Sequence, residues 1–200
     1  MEFNKESFKD YMESFLRQNS MLNLVSKNDE KFLWEKHIFD SLAIEECFAK
    51  SYIERKEISL LDIGTGGGFP SVPISIQYPN IKVYALDSIR KKINAIENMK
   101  QELGIENLCT ICDRAENIKQ KFDVITSRAV APLSVITGYA APLLKNNGVF
   151  VAYKSRRAEE EIAEAKPVLG KFGLKIVDII QYELPLEENH IRNLIVIKKK

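Results

Sequence analysis

The residues best suited to chemistry form one run, Asp62-Ile63-Gly64-Thr65-Gly66-Gly67-Gly68-Phe69-Pro70. It follows a short apolar stretch, residues 58–63, and leads into a segment that reads as a helix from Pro70, since proline suits a first helical turn. Glycines in that setting let the backbone turn tightly and approach a ligand with no Cβ in the way. The spacing selects the ligand. A dinucleotide loop needs G-x-G-x-x-G, so that a pyrophosphate rests on the helix N-terminus. Counted from Gly64, the third glycine position holds Phe69; counted from Gly66, it holds Ser71. A Walker loop ends in Gly-Lys-Ser/Thr, and no lysine lies between Asp62 and Lys82. Asp62 also sets an acid where phosphates would sit.

A ligand without phosphates, carrying an amino group and a sulfonium, suits this loop better. The spacing D-x-G-x-G-x-G is the pattern of methyltransferases that use S-adenosylmethionine. Asp62, Gly64, Gly66 and Phe69 are therefore candidate cofactor residues. Asp87 closes the next apolar stretch, where an acid accepts hydrogen bonds from ribose hydroxyls. That feature is shared with NAD enzymes, so an NAD-type enzyme and a non-catalytic binding module remain as alternatives. Asp113-Arg114-Ala115-Glu116 follows the third stretch, placing Ala115 and Glu116 where an adenine would lie.

The acceptor is read from the fourth stretch, which ends in Thr126-Ser127-Arg128-Ala129. The Asn/Asp-Pro-Pro-Tyr/Phe signature of many amino-group methyltransferases is missing there. No cysteine follows a proline, as cytosine C5 enzymes usually require. An acceptor that needs neither proton removal nor covalent activation fits, and guanine N7 is one. Catalysis then rests on positioning and electrostatics. Arg128 is the candidate for contact with cofactor or substrate. Lys154, followed by Arg156 and Arg157, is the candidate for gripping RNA phosphates, with pairing to residues 159–161 as the alternative. His37 has Asp40 and Ser41 at i+3 and i+4 and reads as packing a helix onto the glycine loop.

These residues must be positioned by a scaffold. Apolar periodicity predicts helices over residues 5–18 and 30–50, with a loop at 21–29. Beyond them, seven strands (58–63, 81–86, 108–112, 122–126, 148–152, 174–180 and 193–197) alternate with helices at 70–77, 89–103, 133–144 and 159–169. Alternation means an α/β fold, a parallel sheet with helices on both faces. The last two strands, joined without a helix, read as an antiparallel hairpin at one edge. The expected organisation is an N-terminal helical extension, residues 1–52, packed on a Rossmann-like methyltransferase domain, residues 53–200. In such sheets ligands sit beyond the carboxyl ends of the strands.

Composition excludes several classes. Twenty-nine basic residues against 28 acidic ones leave a net charge of +1, so any nucleic-acid contact must come from local clusters: 90–92, 154–157 and 198–200. No apolar run reaches the roughly 18 residues of a membrane span, and the N-terminus lacks signal-peptide character. A cytoplasmic monomer is expected. Cys109 and Cys112 form a C-x-x-C with no second pair, which reads as strand residues rather than a zinc site.

The chain resembles the RsmG (GidB) family, bacterial methyltransferases for guanine N7 in 16S ribosomal RNA. The resemblance rests on residues 22–26 (LNLVS), 36–41 (KHIFDS), the 62–70 loop, 86–88 (LDS), 114–116 (RAE), 127–129 (SRA) and 192–197 (RNLIVI). It implies that Gly64 and Phe69 line the cofactor loop, that Ala115 and Glu116 flank the adenine, and that Arg128 reaches cofactor or substrate. It also implies guanosine 527 of 16S rRNA, carried by the small ribosomal subunit, as the target. One departure is Val25, where the family usually has threonine.

Overall fold

The computed structural model describes residues 1–54, 57–187 and 190–199. A 3-10 turn (Lys5–Phe8) leads into α1 (Lys9–Leu22), which ends where Asn23 turns left-handed at φ 51°. Next come α2 (Lys27–Glu30), a π-helix (Leu33–Phe39), α3 (Asp40–Leu42) and α4 (Glu45–Ala49). The strands and helices that follow are β1 (Ile58–Ile63), α5 (Ser71–Gln77), β2 (Ile81–Asp87), α6 (Arg90–Leu103), β3 (Leu108–Cys112), β4 (Phe122–Arg128), α7 (Leu133–Ala140), β5 (Leu144–Lys154), α8 (Ala158–Lys171), β6 (Leu174–Glu183) and β7 (Ile191–Lys199).

The seven strands make one sheet in the order β3-β2-β1-β4-β5-β7-β6. Pairing is parallel from β3 through β5, and β7 runs antiparallel to both β5 and β6. The expected edge hairpin is present, but its second strand lies inside: β7 fills the place beside β5 and leaves β6 at the edge. Successive side chains of a strand point to opposite faces, and the core divides accordingly. Leu60, Val151 and Val196 join the cluster under α1, α5 and α6. Leu61, Phe150 and Ile195 join the cluster under α7 and α8. Phe8, Tyr11, Phe15, Trp34 and Ile38 belong to the first cluster, so the N-terminal helices share a core with the sheet. Asn98 on α6 donates to Gln18, and Ser14 donates to Glu102, across the α1–α6 seam.

One element differs from the sequence reading in a way that matters for the site. The single helix expected over 30–50 is broken, after the end of α2, into three short pieces, the first of them the π-helix. A π-turn widens the helix by one residue, and tertiary packing here overrides the 3.6-residue period. Leu33, Trp34 and Ile38 still face the core, while His37 and Asp40 meet the tip of β4. Lys200 of the terminal basic cluster, and Glu188 and Asn189 of the β6–β7 connection, lie outside the described residues. No helix among the described residues is long and apolar enough to cross a membrane.

Candidate functional site

Strand order reverses on the two sides of β1: the chain runs outward through β2 and β3, then returns to place β4 on the other side. A crevice opens at such a switch point, beyond the carboxyl ends of the strands. It is a cleft of about 620 Å³, lined by Gly64, Gly66 and Phe69 after β1, Asp87 at the end of β2, Ala115 and Glu116 after β3, and Arg128 at the end of β4. The fold thus gathers seven of the eight residues expected to bind cofactor.

The loop is shaped by its glycines. Gly64, Gly66 and Gly68 have φ of 73°, 59° and 96°, in the region L side chains rarely adopt. The amides of Gly64 and Thr65 both donate to the Leu86 carbonyl, which ties the loop to the neighbouring strand. Asp87 reinforces the tie: one carboxylate oxygen accepts from the Gly66 amide at 3.0 Å, the other from the Ile89 amide at 2.9 Å. A Cβ added at Gly66 would meet nothing nearer than the Gly64 carbonyl, 3.9 Å away; it would occupy cleft space instead. An elongated adenosine ligand fits this cradle, with backbone at the centre and an acid at the tip of β2.

Asp62 departs from expectation. It does not line the cleft; it is fully buried behind the loop. Its Oδ1 accepts from the Thr126 hydroxyl at 3.0 Å, and Oδ2 has no hydrogen-bond partner among the described residues. Burial raises its pKa to about 6. The strand period accounts for the misplacement: Asp62 is still within β1, pointing into the layer, and the turn that opens to the cleft starts only at Gly64.

A second cleft, about 720 Å³, adjoins the first. His37, Arg128, Ala129 and Val130 line both, so the end of β4 and its exit turn form a shared wall. Ala129 makes that turn at φ 55°, unusual for a residue with a Cβ and found where a site over-determines the backbone. Arg128 is held from several directions. Its Nη1 donates to Asp40 Oδ2 at 2.7 Å and to the Lys36 carbonyl at 3.1 Å, and Nη2 donates to His37 Nδ1 at 3.0 Å. The guanidinium also lies over the Phe69 ring, 5.2 Å from its centroid.

Arginine has donors only, so His37 Nδ1 must be an acceptor and the ring's proton sits on Nε2. Burial, with help from Arg128, lowers the His37 pKa to about 4. The ring packs on Phe69 with centroids 5.0 Å apart, so the histidine does pack its helix onto the glycine loop. Phe69 itself is buried among Tyr11, Phe15 and His37, and Trp34 is likewise a core residue.

Lys154 lines the second cleft, but its ammonium is engaged: 2.6 Å from Glu161 on α8 and 2.7 Å from the Ala131 carbonyl. Glu161 also accepts from the Leu133 amide at the start of α7. The pair therefore clamps the exit turn of β4 to α8. Arg157 and Arg192 stand on the same cleft. Cys109 and Cys112 are free thiols on β3, and no metal-ligating cluster occurs among the described residues.

Sequence reasoning passed over three site residues. Val130 gave no signal. Asp40 was visible only as a neighbour of His37. Tyr182, whose hydroxyl donates to Asp40 Oδ1 at 2.7 Å, comes from a strand far along the chain.

A seven-stranded sheet of this order, with a glycine loop after β1 and an acid after β2, defines a class I S-adenosylmethionine-dependent methyltransferase. Solved structures agree on the fold. The ribosomal protein L11 methylase from Lactobacillus delbrueckii subsp. bulgaricus superposes with a TM-score of 0.59 at 19% identity, over 80% of this chain and 76% of that one. M. jannaschii TYW2, solved in complex with AdoMet, gives 0.58 at 19% identity, over 77% and 73%. Residues 4–192 match the family model for rRNA small subunit methyltransferase G, and the chain belongs to that family. The ribosomal RNA small subunit methyltransferase G of Bacillus licheniformis is 38% identical, over 99% of this chain and 83% of the relative. That of Bacillus subtilis strain 168 is 36% identical, over 97% and 82%.

Proposed function

We propose that the protein transfers a methyl group from S-adenosylmethionine to N7 of a guanosine in 16S rRNA, at position 527. The shared wall between the two clefts, in a chain of this family, supports this reading. Gly64, Gly66, Phe69, Asp87, Ala115 and Glu116 hold the cofactor in the first cleft, and the target base enters the second. The cofactor supplies an activated methyl on a sulfonium.

The wall suits an acceptor that needs no base. Its histidine is neutral, and the basic nitrogen of that ring is already occupied by Arg128. Guanine N7 presents a lone pair and carries no proton, so the residues of the wall need only exclude water and align the reactants. Arg128 separates the two ligands at a fixed place. Lys154 keeps the exit turn of β4 in position through Glu161 and Ala131. Asp62 supports the loop from behind.

Primer extension after borohydride and aniline treatment tests the reading. Ribosomal RNA from cells carrying the gene should show a break at the methylated guanosine. The same break in a strain lacking the gene would refute it.

A further inference from the structure

Arg128 raises an electrostatic difficulty. A guanidinium that lines the cofactor cleft stands close to a ligand that is itself a cation. Left uncompensated, it would repel the sulfonium and favour the neutral thioether product. The side chain is only 15% exposed, so water does little to screen it.

The compensating charge lies against the guanidinium. Asp40, with its side chain 5% exposed, is 2.7 Å from Arg128 Nη1. Its other oxygen accepts from the Tyr182 hydroxyl at 2.7 Å, so the carboxylate is fixed from the far side by β6. Arg192 Nε is 4.0 Å away, on a more exposed side chain. The Lys36 carbonyl and His37 Nδ1 complete the frame around the guanidinium.

We propose that Asp40 is a positioning residue that cancels the charge of Arg128, so that the cleft accepts the cationic donor as well as its neutral product. Asp40 touches neither reactant in this reading; it acts through Arg128. The inference rests on the cofactor assignment above and concerns how the site balances two ligands that differ by one charge.

The test is calorimetric affinity, at pH 8 and low salt, for S-adenosylmethionine and for S-adenosylhomocysteine, with thermal melting run alongside. Asp40→Asn keeps shape and an acceptor for Tyr182 but leaves Arg128 unpaired. Its affinity for the cation should fall about tenfold further than its affinity for the neutral ligand, the repulsion of two unit charges roughly 12 Å apart at an effective dielectric of about 20. Arg128→Gln should move the ratio the other way, toward the cation. The double variant should restore the wild-type ratio, whatever its absolute affinities. Equal weakening of both ligands by Asp40→Asn would show a purely structural role and overturn the proposal. So would a ratio that stays shifted in the double variant. Should Asp40→Asn fail to fold, the Arg128→Gln and double variants still decide: no shift toward the cation in the first, or no return in the second, refutes it. Wild-type protein that binds neither ligand would instead refute the cofactor assignment.

Discussion

Gly64→Ala is a demanding test of the loop, because the structure separates its two costs. The first is backbone strain. Gly64 sits at φ 73°, and a side chain in the left-handed region costs about 1–2 kcal/mol. The second is collision. The new Cβ would lie 2.4 Å from Val130 Cγ2 and 3.1 Å from Cγ1, distances that force Val130 to move. Val130 is 43% exposed and can yield, but it lines both clefts, so yielding disturbs the shared wall. Strain alone should lower the melting temperature by roughly 2–8 °C for a domain of this size. Displacement of the wall should weaken cofactor binding on the order of tenfold, for a change near 1.4 kcal/mol. Val130→Ala removes both colliding methyls and leaves Cβ in ordinary contact at 3.4 Å. Added to Gly64→Ala, it should recover most of the affinity and little of the melting temperature. Calorimetry and thermal melting on the two single variants and the double read both costs. Unchanged affinity in Gly64→Ala, or no recovery on adding Val130→Ala, would refute the packing argument.

Three further predictions concern the same site. The folded pKa of His37 lies below its unfolded value, near 4 against about 6.5. Its contribution to stability is therefore complete above pH 6.5 and lost as pH falls toward 4, to a total of about 3 kcal/mol; denaturant unfolding of His37→Gln should show a flatter slope in that window than wild type. Asp87→Ala frees the Gly66 and Ile89 amides and removes the proposed ribose acceptor. Cofactor affinity should drop on the order of tenfold or more by calorimetry, and an unchanged value would remove Asp87 from the site. Lys154→Met breaks the clamp between the β4 exit turn and α8, so turnover should fall while the salt dependence of binding to small subunits stays as in wild type. A salt slope reduced by about one unit would mean that Lys154 contacts a phosphate after all.

What the sequence determined on its own was the local chemistry of strand tips. Glycine spacing and Phe69 in place of a dinucleotide glycine argued against a phosphate-binding loop, and Asp87 at the close of β2 pointed to an adenosine ligand. Alternating short apolar runs and helices fixed the sheet, because those periods are local properties of the chain. Partners and directions were a different matter. Asp62 read as a cleft residue, yet it is buried behind the loop, since a shift of one residue along a strand moves a side chain to the other face. Arg128 and Lys154 read alike as cations at neighbouring tips. Only packing distinguishes them: Asp40, His37 and the Lys36 carbonyl frame one, while Glu161 and the Ala131 carbonyl hold the other. Those partners lie up to 92 residues away in the chain. The Asp40 node joins an N-terminal helix, β4 and β6. Which charges neutralise one another is decided by where those elements meet, and no spacing in the sequence encodes that meeting.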